Sequence, residues 1–360
     1  MSRGYNFSAG PAALPEEVLA EVQAELLEWN GARASVMEVS HRGKAFTAMA
    51  EEAEQDLRDL LSVPTGYRVL FLQGGATQHF AQIPMNFARP GQHADYVLTG
   101  DWGEKAAKEA APSVDVNIAA SAAASNYDRI PAREDWTLDR SAAYVHITPN
   151  ETIRGVEFHG IPDVGEVPLV GDVSSTILSR PLDVSRYALL YAGAQKNIGP
   201  SGLVVMIVRD DFLERCPARL PRIMNYAEHA AQRSMLNTPN SFGWYLAGRV
   251  FKWLKRQGGV EAMAARNRAK AELLYGCIDD SGWYRNPVEP TARSWMNVPF
   301  TLPDADLDAA FLAEADAAGL MALKGHRAVG GMRASIYNAM PLAGVEALVD
   351  FMRDFARRNG

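Results

Sequence analysis

A chain of 360 residues with 48% hydrophobic and 22% charged residues has the material for one large domain and a satellite. Its net charge of −7 and the lack of any Lys/Arg run argue against nucleic-acid or membrane-surface partners. Cys216 and Cys277 form neither a CxxC pair nor a disulfide framework, MSRGYNFSAGPAAL has no apolar leader core, and no stretch is long and apolar enough to span a membrane, so a cytoplasmic protein without a metal is expected.

In chain order, the first helix is expected over residues 15–29. Pro15 suits a first helical position, Glu16 and Glu17 meet the positive end, and Val18, Val22, Leu26 and Trp29 fall on one face. Asn30-Gly31 stops it. A second helix runs from Lys44 to Leu61, with Phe46, Met49, Ala53, Leu57 and Leu60 on its apolar side. Short continuous apolar runs follow: Val69–Leu72, Tyr96–Leu98, Tyr144–Ile147, Val167–Val170, Tyr187–Tyr191 and Leu203–Val208. They do not alternate, which is how strands of a parallel sheet read when helices cover both faces. The alanine-rich stretch 120–125 reads as a loop. The connection from Tyr191 to Leu203 is too short for a helical crossover, so the second of those strands is expected to run antiparallel in an otherwise parallel sheet.

A helix over 241–256 ends at Gly258-Gly259, which marks a domain boundary. Beyond it come a helix near 260–276, a strand near 294–300, a helix near 305–318, short strands near 321–324 and 333–337, and a final helix over 343–357. The expected fold is α/β: a large domain over 16–257 with a mostly parallel sheet sandwiched by helices, and a smaller α+β domain built from 1–15 and 258–360.

Ligands of such sheets collect at the C-terminal ends of the strands, and four features fall there. QGGATQ, 73–78, is a Gly-rich strand-to-helix turn whose N–H groups suit an anion, although it reads equally as a tight turn. In GDW, Trp102 is a rim tryptophan or an aromatic face for a flat ligand. In LVGDVSST, Asp172 ends an apolar strand where an unpaired carboxylate is costly; a helix cap is the plainer reading. In YAGAQKNIGPSGL, Lys196 sits among small residues at a strand end, or at an exposed hairpin tip. An amine, an acid, an aromatic face and an anion cradle are together what pyridoxal 5'-phosphate requires. The lysine forms a Schiff base, the acid keeps the pyridinium nitrogen protonated, the ring stacks and the loop holds the phosphate.

YAGAQKNIGPSG resembles the cofactor-lysine segment of the phosphoserine aminotransferase family, which are class V, fold-type I pyridoxal-phosphate enzymes. The likeness extends through NFSAGPAALP, SVMEVSHRGK, PNETIRGV, SSTILSRPLDVSRY, SMLNTPNSF and KGHRAVGGMRASIYNAMP. The resemblance implies that Lys196 is the Schiff-base lysine and Asp172 the pyridinium partner. It implies that Trp102 stacks on the ring, that Thr152 and Gln195 contact its substituents, and that the backbone of Ala76 and Thr77 holds the phosphate. Asn237 and Thr238 would hold that phosphate from a second subunit, giving a homodimer with sites at the interface; NTPNS also reads as an ordinary cap for helix 241–256. Arg333 is implied for the substrate α-carboxylate, and His41, Arg42, His326 and Arg327 for the substrate phosphate or the glutamate side chain. Planar guanidinium forks suit both anions. One departure stands out: Gln78-His79 replaces the expected Leu-Gln, which adds an ionisable group beside the phosphate loop.

The implied reaction moves the amino group of L-glutamate to 3-phosphohydroxypyruvate, giving O-phospho-L-serine and 2-oxoglutarate in serine biosynthesis, with the 4-phosphohydroxythreonine precursor of vitamin B6 synthesis as a further substrate. Three alternatives stay open at this level. A serine– or alanine–glyoxylate aminotransferase would not need both His-Arg pairs. A cysteine desulfurase would need a nucleophilic cysteine over the site. A catalytically silent phosphate-binding protein would need neither Lys196 nor Asp172.

Overall fold

The computed structural model describes residues 3–360. Ten α-helices and thirteen strands are present among them. The chain opens with β1 (Tyr5–Asn6), α1 (Glu16–Glu25) and α2 (Lys44–Leu61). There follow β2 (Tyr67–Gln73), α3 (Ala76–Phe87), β3 (His93–Leu98), α4 (Asp101–Ala110) and β4 (Asp115–Ser121). Next come β5 (Val145–Ile147), the hairpin β6 (Asn150–Glu151) and β7 (Val156–Glu157), β8 (Leu169–Asp172), β9 (Leu189–Gly193) and β10 (Leu203–Arg209). Helices α5 (Asp210–Leu213), α6 (Tyr226–Ala231), α7 (Ser241–Arg256) and α8 (Gly259–Asp280) lead to β11 (Asn297–Phe300), α9 (Asp308–Ala317), β12 (Leu320–Met321), β13 (Met332–Ser335) and α10 (Leu342–Asn359).

Seven strands form one sheet in the order β2-β10-β9-β8-β5-β3-β4. β10 pairs antiparallel with both β2 and β9, while β9, β8, β5, β3 and β4 pair parallel in sequence. The strand after Lys196 thus runs back against its neighbours, as its short connection requires. Separate apolar clusters lie against the two faces of this sheet. Phe71, Val145, Leu190 and Val205 pack with α2 and α7 residues on one, and Leu70, Tyr96, Tyr191 and Met206 with α3 and α4 residues on the other. A third cluster joins Phe7 near the N-terminus to α8, β11, β13 and α10. No helix among the described residues is long and apolar enough to cross a membrane.

Two expectations need correction. Helix α1 ends at Glu25, four residues before Trp29; the Trp29 ring is buried edge-on against Tyr245 of α7, and its backbone N–H donates to Ala34 O at 3.0 Å. Residues 120 and 121 close β4, so only 122–125 of the alanine-rich stretch are loop and 3₁₀ turn. β4 is an edge strand that pairs with β3 alone and buries little more than its end, so it lacks the continuous apolar run of its neighbours.

Candidate active site

Asp172 is the last residue of β8, and Lys196 lies three residues past the end of the adjacent parallel strand β9. Both therefore stand at the C-terminal edge of the sheet. Asp172 is 5% exposed; its Oδ1 accepts the Ser174 N–H at 3.0 Å and the Ser174 hydroxyl at 2.5 Å. The same hydroxyl accepts Gly193 N–H at 2.9 Å, which ties the end of β9 to the carboxylate. No cation lies within ion-pair distance of Asp172 among the described residues, although Lys196 is close enough to act on it electrostatically. Burial pushes the Asp172 carboxyl up, against the pull of Lys196 and Ser174.

Lys196 donates to Thr152 Oγ1 at 2.6 Å and stands 5.4 Å from the centroid of the Trp102 ring. Burial pulls its amine down to about 8; Asp172 and Glu151 oppose that, and Arg333 reinforces it. Arg333, on β13, donates to Thr152 O at 3.3 Å and has no carboxylate partner among the described residues. Gln195 is half-buried beside Lys196, its carbonyl accepting Ala12 N–H at 2.8 Å. Lys196, Asp172, Trp102, Thr152, Gln195 and Arg333 are thus one group, drawn from five segments of chain.

The cradle lies beside them. Ala76 and Thr77 begin α3, whose cap Gly75 offers no side chain to the first turn, so those N–H groups are open to an anion. Lys105 connects the cradle to the ring: its amine donates to Thr77 Oγ1 at 3.1 Å and lies 5.3 Å from the Trp102 centroid. Asn237 and Thr238 are exposed, with Thr238 O accepting Gln73 Nε2 at 2.6 Å. Their neighbour Asn240 caps α7 through Gly243 N–H at 2.9 Å, so the capping role read in NTPNS belongs to Asn240.

The other residues expected to meet substrate anions stand apart. Arg42 is exposed and lines a cavity of about 200 Å³ with Gln232, Arg233 and Trp244. His41 is half-buried with its Nε2 unpartnered. His326 and Arg327 lie on a turn before β13, held by Val329 N–H and Gly330 N–H donating to His326 O at 2.9 and 2.8 Å. None of these four bonds to the Lys196 group.

His79 does not add a charge to the cradle. It is buried, its Nδ1 is 2.8 Å from Tyr226 OH and its Nε2 3.3 Å from Gln73 O, and burial pulls it down to about 4. It is neutral at pH 7 and fixes the loop through both ring nitrogens. Burial likewise pushes the Cys216 thiol up to about 11 and raises Cys277, so neither is a ready nucleophile.

Two residues at the site were not anticipated. Lys105 carries a signal in hindsight, being one helical turn after Trp102 on the same face. Glu151 carries none. It is 0% exposed, and its carboxyl accepts the N–H groups of Trp102 at 3.0 Å and Gly103 at 2.8 Å. Burial pushes it up to about 8; the two N–H bonds pull it down, and Asp101 and Asp172 add to the rise.

These residues fit pyridoxal phosphate. The buried Asp172 carboxylate lacks a cationic partner, the Trp102 ring lies beside the Lys196 amine, and the start of α3 is uncapped. A protonated pyridinium nitrogen, a flat ring and a phosphate answer those three in turn.

The family model described as aminotransferase class-V matches residues 4–348. The chain is 62% identical over 361 residues to a phosphoserine aminotransferase of Stenotrophomonas maltophilia, covering 100% of both chains. It superposes with a TM-score of 0.98 on the phosphoserine aminotransferase of Bacillus circulans subsp. alkalophilus, at 50% identity and 99% coverage of each chain. A pyridoxal-phosphate-bound phosphoserine aminotransferase of Trichomonas vaginalis matches with a TM-score of 0.93 at 42% identity, over 98% of this chain and 100% of that one.

Proposed function

The chain belongs to the class-V aminotransferases, and from that premise we infer that it transfers the amino group of L-glutamate to 3-phosphohydroxypyruvate, yielding O-phospho-L-serine and 2-oxoglutarate. The cofactor is pyridoxal 5'-phosphate. The observation that carries the reading is the placement of Lys196 and Asp172 on adjacent parallel strand ends beside Trp102.

When bound, pyridoxal phosphate supplies an electrophilic carbon for amines and a ring that accepts the electron pair released as the substrate Cα loses its proton. The chain's own groups do the rest. Lys196 Nζ would take the proton from the donor Cα and, in the second half-reaction, deliver one to the acceptor Cα, which requires a neutral amine near working pH; its lowered pKa meets that need. Thr152 Oγ1 orients the amine. Asp172 would hold a positive charge at the far end of the site, and the bonds from Ser174 favour its ionised form against the pull of burial. The first-turn N–H groups of Ala76 and Thr77 take the cofactor phosphate, and Arg333 takes the substrate α-carboxylate through its guanidinium fork.

His41, Arg42, Asn237 and Thr238 do not join this group within one chain, yet Arg42 shares its cavity with Gln232 and Arg233, a few residues before Asn237. A homodimer that apposes this face to the partner's sheet edge would complete each site with an exposed cation and two exposed amide or hydroxyl groups. His326 and Arg327 would meet the substrate phosphate from the turn before β13. The 4-phosphohydroxythreonine precursor, with the same phosphate, is a second acceptor under this reading. The reaction is tested by mixing the holoprotein with glutamate and 3-phosphohydroxypyruvate. Phosphoserine and 2-oxoglutarate should form in equal amounts, and absence of either overturns the assignment.

A further inference from the structure

We propose that Glu151 is a positioning residue that sets the Trp102 ring against the Lys196 site. The proposal rests on the cofactor reading above for its catalytic consequence, but on geometry alone for the placement. Helix α4 begins after Gly100, which has no side chain to cap it. Its first-turn N–H groups, those of Trp102 and Gly103, are instead taken by a carboxyl delivered from β6. A cap ordinarily comes from the residue just before the helix. Here it comes from the strand that continues into Thr152, the residue whose hydroxyl accepts from Lys196 and whose carbonyl accepts from Arg333. One buried side chain therefore joins the aromatic face to the segment that orients the amine.

Gly100 gives a second, independent indication. Its φ of 171° is extended backbone open to any residue, so conformation does not demand glycine. Yet a Cβ there would lie 2.6 Å from both Cγ and Cδ of Glu151. The glycine makes room for the carboxyl. No hydrogen bond holds the ring, because Trp102 Nε1 is unpartnered among the described residues; the Lys105 and Lys196 amines and Phe80 lie against it. Its placement is inherited from the backbone that Glu151 holds. A separate pair, Arg154 Nε to Asp101 Oδ2 at 2.6 Å, ties the same two segments and remains when Glu151 is altered.

The test compares wild type, E151Q and G100A, each with and without W102F. In E151Q the side chain keeps its shape but turns an amide donor toward one of the two N–H groups; in G100A the carboxyl is displaced without being replaced. In the apoprotein, the emission of Trp102 alone is the difference between each protein and its W102F counterpart. It should shift red and become about threefold more quenchable by acrylamide in both variants, as a loosened ring meets water. In the holoprotein, the visible circular dichroism of bound pyridoxal phosphate should fall by at least about half. There kcat should drop about tenfold with KM for phosphoserine little changed, the mark of lost orientation rather than lost binding. Adding W102F to E151Q should cost no more than about twofold further, since the two act as a unit. Unaltered Trp102 emission and dichroism with only a lower melting temperature would overturn the proposal and leave Glu151 a helix cap. If E151Q does not fold, G100A is judged by the same two results. A wild-type protein that takes up no cofactor would instead defeat the cofactor reading, while the apoprotein emission still decides the role of Glu151.

Discussion

Lys196 is surrounded by opposed influences: burial removes water from its amine, while two carboxyls, Asp172 and Glu151, stand near enough to favour its charge. Burial prevails, and the amine titrates at about 8. An amine must be neutral to attack a carbonyl. The rate at which apoprotein captures pyridoxal phosphate should therefore rise about tenfold per pH unit below 8 and level off above it. Stopped-flow absorbance across pH 6.5 to 10 measures this, and a plateau reached only near the free-lysine value of 10.5 would mean that the amine is solvated. The sign for stability follows from the same shift. The unfolded chain binds the proton that the folded chain releases, so Lys196 makes the fold more stable as pH rises between about 8 and 10.5. His79 acts in the opposite pH range: its folded pKa of about 4 removes stability as pH falls below 6.5.

At the level of elements, the turn over 325–331 is packed tightly against itself. A Cβ on Gly325 would lie 2.0 Å from Gly330 O, so any side chain there forces the turn open. The turn carries His326 and Arg327, and its residues 325–331 are all exposed or half-buried. G325A should therefore raise KM for phosphoserine about tenfold and leave KM for alanine as donor unchanged, with little loss of melting temperature. Equal losses for both donors would mean that the turn does not read the phosphate. Elements with strong periodicity were legible from sequence: α2 and α7 begin and end at the expected residues. The reversal at β10 was legible as well, because connection length limits strand direction. β4 was not, since an exposed edge strand shows little apolar pattern. Lys196, Asp172 and Trp102 each lie within four residues of a strand end and could be picked out by position. Glu151 could not: its partners are backbone N–H groups nearly fifty residues upstream, and no residue type at Trp102 or Gly103 announces them.

Across the whole molecule, polar bonds connect the C-terminal cluster to the lysine loop. Asn338 donates its N–H to Asn197 Oδ1 at 3.1 Å and its side chain to Leu178 O at 2.9 Å, while Asn267 donates to Asn338 Oδ1 at 2.8 Å. Lys270 is buried beside them with its amine donating to the carbonyls of Ile336, Tyr337 and Met340 at 3.0, 2.7 and 2.9 Å. Three acceptors call for all three ammonium hydrogens, although burial pulls this amine down to about 7. The segment so fixed follows directly on Arg333, so the guanidinium and Lys196 are held in register through the protein interior as well as through Thr152 in the site. Under the assigned reaction, one site takes glutamate and phosphoserine in turn. The half-reaction panel tests it most directly: the yellow holoprotein is mixed separately with phosphoserine, glutamate, serine, alanine and cysteine, and the bleaching of its visible band is followed. Phosphoserine and glutamate should each bleach the band at least about a hundredfold faster than serine, alanine or cysteine, a discrimination that charge-assisted pairs to the distal anion readily supply. Bleaching by serine at the rate of phosphoserine, or no bleaching by either phosphoserine or glutamate, would contradict the assigned reaction.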